Sequence, residues 1–373
     1  MEKTAIDLLW LRVGGVGGAE FYVRNLLDGF LEQEVDFKFT LLVSRDNADS
    51  FAHYADDPRF DLLIAPIYNK SISKRILWQN LHQNSFLRKR GYKNCFVPVY
   101  CKPWLNGGIT YCCVIHDIQA LHYPKYHPLH EVLYSRLCWR MDVLNAKKII
   151  TISDYSREDI QDHYKRKDIK RIYIPITVKK EEILDFSEIS NKFNISERGY
   201  FYTVAQLIPH KNLSTIIKMM NYLINESGKT YDDLPRKLVV SGIKGNAASE
   251  VQQMIKEYNL EENVVLTGFI SNEERNTLYK YAHTFLFPSV FEGFGMPPVE
   301  AAFFDCPVVT TKCTSIPEAT QQKATYVDDP YDVEQWVKAI ETAEKNPQEK
   351  PDFSVYDAST IAKEYLQVLM DLK

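Results

Sequence analysis

The sequence predicts an α/β protein: two Rossmann-like domains in tandem, each a parallel sheet covered by helices, closed by a C-terminal helix. Three observations predict it. The chain has 373 residues, more than a single core of ordinary size holds. Short apolar runs alternate with amphipathic stretches of helical period, the pattern of βαβ units on a parallel sheet. After a polar, charged stretch from Lys179 to Arg198 the series restarts. The boundaries drawn are 1–175 for the N-terminal domain, 176–355 for the C-terminal domain, and 356–373 for a helix packing back on the first.

The first domain opens with an apolar run, Ile6 to Val13, read as a strand because Asp7 and Arg12 interrupt it and glycines follow at once, unlike a signal peptide. The loop GGVGG then leads into the amphipathic run AEFYVRNLLDGFL. Strands follow at FTLLV (39–43), FDLLIAPI (60–67), ITYCCVIH (109–116) and KKIITIS (147–153). In the second domain YFYTVAQL, KLVVSG, NVVLTG and TFLFPS read as strands, and ASEVQQMIKEYNL, SNEERNTLYKYA and the run around PPVEAAFF as helices. At the end, Ser354 with Asp357 fits a capping box before the helix.

Composition narrows the function. Apolar residues make up 45% and charged residues 25%, ordinary globular values, and Lys plus Arg number 45 against 49 Asp plus Glu. A net charge of −4 makes no electrostatic case for nucleic acid. The seven cysteines include no CxxC spacing, so neither a disulfide framework nor a zinc site is indicated, and a reducing, cytoplasmic setting fits. No stretch approaches the roughly 18 apolar residues of a spanning helix. Between Asp61 and Asp117 lie Lys70, Lys74, Arg75, Arg88, Lys89, Arg90, Lys93 and Lys102 without an Asp or Glu, interleaved with Trp78, Phe86 and several Leu and Ile. That stretch, 70–102, reads either as a solvated basic face or as a surface for an anionic membrane.

Five clusters carry candidate chemistry. Gly14 to Gly18 lie where a strand hands over to a helix and could admit a phosphate, but Glu20 stands where a dinucleotide fingerprint needs its third glycine. Glu292-Gly293-Phe294-Gly295-Met296-Pro297-Pro298-Val299-Glu300 sets two carboxylates around a flexible loop; the prolines predict a helix start with free amides for anionic oxygens and Glu300 in the first turn. Glu300 can accept from both hydroxyls of a ribose. Gln206, His210 and Lys211 lie between a strand end and a helix, where a lysine neutralises a diphosphate or is simply a solvated charge. His116 ends a buried strand and is equally a crevice-facing residue or a hydrogen-bonded strand-end histidine. His122, His127 and His130 match no metal spacing and read as a loop, and no D-x-D triplet occurs, so no metal is expected.

The blocks AQLIPHKNL, LVVSGIKG, VVLTGFISNEE, FPSVFEGFGMPPVEAAFFDCPVV and SIPEAT with VDDPYDVE resemble the donor domain of family 4 (group 1) retaining glycosyltransferases of the GT-B fold. In the first half the glycine loop, HDIQALHYPKYH and TISDYSRED resemble its mannosyltransferase-like branch. The resemblance implies two parallel sheets facing across a crevice, and transfer of a hexose, mannose from GDP-mannose, to a lipid-linked or polysaccharide acceptor of bacterial surface glycan synthesis. It implies retained anomeric configuration, no essential metal or other cofactor, and a cytoplasmic enzyme peripheral to the inner face of the plasma membrane. Glu300 would hold the ribose and Glu292 the donor sugar. The amides of Gly293, Phe294 and Gly295 would meet sugar and phosphates, and Lys211 the diphosphate. Ile270 would lie near the base, His116 would line the sugar site, and Gly17 and Gly18 would meet phosphate or acceptor. Gln206, also on the donor side, stands where many relatives carry Arg. The competing classes are a nucleotide-sugar epimerase or hydrolase of the same architecture and a non-catalytic sugar- or nucleotide-binding protein.

Overall fold

The computed structural model describes residues 3–15, 17–99, 102–226, 233–243 and 245–372. Val16 of the glycine loop and Cys101 lie outside the described residues. The chain divides into two units, Met1–Thr177 with Ser354–Lys373, and Val178–Phe353.

The first unit holds a seven-stranded sheet in the order β3-β2-β1-β4-β5-β6-β7, parallel throughout. Its strands are β1 (Lys3–Asp7), β2 (Lys38–Val43), β3 (Phe60–Ile64), β4 (Asn94–Val97), β5 (Thr110–Val114), β6 (Lys148–Thr151) and β7 (Ile169–Arg171). Its helices are α1 (Gly18–Leu31), α2 (Ile72–Trp78), α3 (Asn84–Arg88), α4 (Gln119–His122), α5 (Leu129–Asn145) and α6 (Asp154–Tyr164). Helices on both faces make the central strands almost wholly apolar, as Tyr111, Cys112, Cys113 and Val114 of β5 illustrate.

Two expectations change here. The strand expected over Ile6 to Val13 ends at Asp7. The Asp7 carboxylate takes the Leu9 amide at 3.0 Å, and Leu11 N–H turns back onto the Leu8 carbonyl at 3.1 Å, so the chain leaves the sheet. Leu8, Leu9 and Leu11 stay buried, so their apolarity marks burial rather than strand. The run expected as a strand over 60–67 likewise pairs only as far as Ile64. Between α2 and α3 the helix widens into π turns over Gln79–Gln83, and both glutamines donate to Asp7 Oδ2, at 3.3 and 2.7 Å. Burial pushes the Asp7 carboxyl up, and those donors with the Leu9 amide oppose the shift.

The second unit holds a six-stranded parallel sheet in the order β10-β9-β8-β11-β12-β13. The strands are β8 (Tyr200–Val204), β9 (Lys237–Ser241), β10 (Val264–Gly268), β11 (Thr284–Phe287), β12 (Val308–Thr311) and β13 (Thr325–Val327). The helices are α7 (Phe186–Phe193), α8 (Leu213–Asn221), α9 (Ala248–Glu257), α10 (Asn272–Tyr281), α11 (Met296–Phe303), α12 (Ile316–Ala319) and α13 (Val333–Lys345). The charged stretch from Lys179 to Arg198 is not a bare linker. It contains α7, N-capped by Asp185, which buries Ile189 and Phe193. The last helix, α14 (Ala358–Met370), belongs to the first unit and packs on α1. Its N-cap is Asp357, accepting from Thr360 N–H at 2.8 Å. Ser354 sits in the preceding 3-10 turn, three residues before the N-cap, so the helix starts later than a Ser354 cap places it.

Candidate functional site

Open parallel sheets bind ligands beyond the carboxyl ends of their strands, where the strand order reverses. In the second unit that switch lies between β8 and β11, and the loops leaving those two strands carry Gln206 to Lys211 and Glu292 to Gly295. Lys211 ends a 3-10 turn, Pro209–Lys211, and Asn212 beyond it takes a left-handed conformation. Lys211 Nζ donates to Glu292 Oε1 at 2.5 Å, and both side chains are largely buried. The ammonium also lies 5.6 Å from the Phe287 ring centroid. Val290 N–H donates to the His210 carbonyl at 2.9 Å, tying the two loops together.

The backbone of Glu292 is held by two residues absent from the sequence expectations, Thr314 and Ser315. Glu292 N–H donates to Thr314 Oγ1 at 2.9 Å, the Thr314 hydroxyl donates back to the Glu292 carbonyl at 3.0 Å, and Ser315 Oγ lies 2.9 Å from the carbonyls of Glu292 and Phe294. Two hydroxyls thus fix the loop that carries the carboxylate, leaving the Lys211–Glu292 pair little freedom. Ser315 opens the SIPEAT block, and Thr314 precedes it.

Beyond the loop, Gly295 adopts φ 100°, ψ 61° as the N-cap of α11, a region that admits glycine and few other residues. The helix starts at Met296, so Pro297 and Pro298 occupy its second and third positions and contribute no N–H. Two of the expected free amides are therefore missing, and an anion at the end of α11 would be met only by its dipole and the remaining amides. Glu300 is the fifth residue of α11 rather than a first-turn residue, and it is buried. Its Oε2 accepts from Tyr279 Oη at 3.0 Å and lies 3.9 Å from Arg275 Nε. Neither of those two residues was singled out from sequence.

The remaining second-unit residues stand apart from this pair. Gln206 is exposed, and its carbonyl accepts from Ile208 N–H at 2.8 Å in a tight turn. Ile270 is half-buried after β10, packed on the apolar cluster that includes Ile189 and Phe193.

In the first unit, where the switch lies between β1 and β4, His116 follows β5 by two residues. Its Nε2 is 3.2 Å from the Pro98 carbonyl, and its ring meets Tyr22 edge-on at 4.8 Å. Burial pushes the imidazole pKa down to about 4, and the Pro98 carbonyl offsets this only in part. The ring is neutral at pH 7. Because a carbonyl only accepts, Nε2 carries the proton and Nδ1 is the acceptor. Gly17 is the N-cap of α1 and Gly18 its first residue. Gly14 N–H donates to Glu20 Oε2 at 2.8 Å, and Arg24 grips the other oxygen of that carboxylate at 2.8 Å. Glu20, which broke the fingerprint, latches the glycine loop.

Two surface readings change. Lys102 is buried, its Nζ 2.9 Å from the Pro103 carbonyl and its amide 3.3 Å from Asp142 Oδ1, so it is no part of a basic face. Trp78 and Phe86 are half-buried against the first unit's core. His122 pairs with Asp159 at 2.8 Å. Among the described residues no group of three or more His, Cys, Asp or Glu could hold a metal ion, and no helix is long and apolar enough to cross a membrane.

Residues 185–358 match the family model for glycosyl transferases group 1. The chain is 29% identical over 244 residues to the O-antigen chain mannosyltransferase RfbU of Salmonella typhimurium, a match covering 65% of this chain and 64% of that one. It is 28% identical over 223 residues to the O-antigen chain mannosyltransferase B of Escherichia coli, covering 59% and 57%. The matches thus span less than two thirds of either relative. Among solved structures, Anabaena HepE in complex with UDP and glucose superposes with a TM-score of 0.69 at 14% identity over 100% of both chains, which identifies the GT-B fold.

Proposed function

We propose, from the match of residues 185–358 to the family model for glycosyl transferases group 1, that this chain is a glycosyltransferase that transfers mannose from GDP-mannose to a lipid-linked or polysaccharide acceptor. The transfer would retain the anomeric configuration and serve bacterial surface glycan synthesis, at the inner face of the plasma membrane. The observation that carries the reading is the 2.5 Å Lys211–Glu292 pair at the sheet's switch point. The mannosyltransferase names of both relatives support the choice of sugar.

The chemistry follows from charge. As the bond from the anomeric carbon to the diphosphate breaks, the sugar gains oxocarbenium character and the leaving oxygen gains negative charge. An ammonium already aimed by Glu292 and fixed loops acts on that developing charge without reorganising. Lys211 spends one of its three donors on Glu292 and has others for phosphate oxygens. Glu292 orients both the ammonium and a sugar hydroxyl, while Glu300 receives the ribose through Oε1, its Oε2 being engaged by Tyr279. The acceptor oxygen bonds the anomeric carbon on the face the diphosphate leaves, and its proton passes to the departing phosphate. No metal is needed where lysine and the α11 dipole meet the diphosphate.

The test is a thermal-shift screen against GDP-, UDP-, dTDP- and ADP-sugars, followed by product analysis. A ligand at 100 times its dissociation constant adds about 2.7 kcal/mol to stability. GDP-mannose is expected to give the largest shift, and the product an α-linked mannose by NMR. A UDP-sugar shifting more would reassign the donor, and no shift with any nucleotide would sink the reading. Free mannose or an interconverted donor formed without acceptor would identify a hydrolase or epimerase.

A further inference from the structure

We infer that Thr314 is a positioning residue of the transfer reaction, a latch kept in an unfavourable backbone conformation so that its hydroxyl sets the direction of Glu292. The inference rests on the reaction proposed above. Thr314 takes φ 52°, in the left-handed region. Among the described residues other than glycine with positive φ it is the β-branched one, and that region is a genuine outlier for such a side chain. Asn212, left-handed beside Lys211, is by contrast of a type that tolerates the region.

What the conformation achieves is local. The N–H and the carbonyl of Glu292 stand on either side of its Cα, and the Thr314 hydroxyl holds both, accepting from the N–H at 2.9 Å and donating to the carbonyl at 3.0 Å. One hydroxyl therefore restrains both backbone torsions of Glu292. With them it restrains the Cα–Cβ bond that directs the carboxylate to Lys211 Nζ, 2.5 Å away. Branching at Cβ stiffens χ1, so the hydroxyl does not swing aside as a serine's can.

Ser315 departs from its local preference too. It is the N-cap of α12, where a serine ordinarily accepts from the amides of its own helix, yet its side chain makes no capping bond. Its Oγ instead lies 2.9 Å from the carbonyls of Glu292 and Phe294. A turn that had only to join β12 to α12 is served without strain by glycine at 314 and a capping serine at 315. Two adjacent residues set those preferences aside, and the bonds of both go to the loop that carries one carboxylate. Local rules broken together in this way mark function rather than folding.

Two variants of the full chain read the latch. Thr314→Gly accepts the left-handed backbone and removes the hydroxyl, whereas Thr314→Ser keeps the hydroxyl. With glycine, turnover at saturating GDP-mannose is expected to fall about 10²-fold, the scale of a misplacement of about 1 Å. KM for GDP-mannose and the melting temperature should hold, the signature of an interaction that matters in the transition state. With serine, turnover should stay close to wild type. Hydrogen exchange at the Glu292 amide gives a readout that needs no turnover: it should accelerate in Thr314→Gly and stay slow in Thr314→Ser. Unchanged exchange or wild-type turnover in the glycine variant, or an equal loss in the serine variant, would overturn the proposal. So would a loss that tracks a lowered melting temperature. A wild type that turns over no GDP-, UDP-, dTDP- or ADP-sugar would sink the reaction instead, and the exchange measurement would still decide whether Thr314 holds the loop.

Discussion

Lys211 and Glu292 form a charge pair whose value lies in being set before a substrate arrives. Under the proposed reaction each acts on charge that appears only as the donor breaks, so removing either should leave the fold intact and cut turnover at saturating donor by on the order of 10²- to 10³-fold. Steady-state kinetics of Lys211→Ala and Glu292→Ala, with circular dichroism as a folding check, measure this. In the same assay wild-type turnover should survive EDTA; its abolition with rescue by Mg²⁺ or Mn²⁺ would transfer the diphosphate's neutralisation from Lys211 to a metal. His116 makes a separate prediction. Its folded pKa of about 4 lies below the ordinary value of 6.5, so its contribution to stability is intact above pH 6.5 and is lost as pH falls through 4. An NMR titration, with His116→Gln identifying the resonance, should show a midpoint near 4. A midpoint near 6.5 would mean that the ring is solvated and not held by Pro98.

Among the elements, α1 and α14 are the pair whose packing is most exacting. A Cβ on Gly29 of α1 would lie 2.4 Å from the Ala358 carbonyl oxygen and 3.1 Å from Ala362 Cβ. Around that contact Gln33 Nε2 reaches Ser359 Oγ at 2.7 Å, and the Tyr22 and Tyr365 hydroxyls meet at 2.9 Å. On helix propensity alone Gly29→Ala should stabilise by about 1 kcal/mol. The clash is with backbone, which cannot swing aside, and overpacking costs about 1–3 kcal/mol. The melting temperature should therefore fall, with earlier proteolysis at 354–373. A rise would show that α14 sits further from α1. The element scale also explains which strands escaped the sequence. β4, β7, β12 and β13 have three or four residues, too few to show a period by themselves, and Leu8 to Leu11 imitate a strand because they are buried without pairing.

At the scale of the molecule, alternating apolar and amphipathic runs were enough to determine two parallel α/β sheets, because strands covered on both faces must be apolar and the helices covering them amphipathic. Composition likewise determined that no global charge draws nucleic acid, and the residue types of the Glu292 to Glu300 block restricted its chemistry to anions and hydroxyls. Only the tertiary structure decided which of those residues meet. The ammonium of Lys211 finds Glu292 across 81 positions of sequence, and Thr314 and Ser315 lock a loop more than 20 residues away. Helix capping moved Glu300 into the second turn, and the prolines that announced α11 removed two of its amides. Lys102 left the basic surface because its backbone is drawn toward Asp142 and its ammonium turns onto the Pro103 carbonyl. Sequence pattern records whether a side chain is apolar and how often it recurs, while contact between distant residues depends on sheet order and loop closure, which no local period encodes.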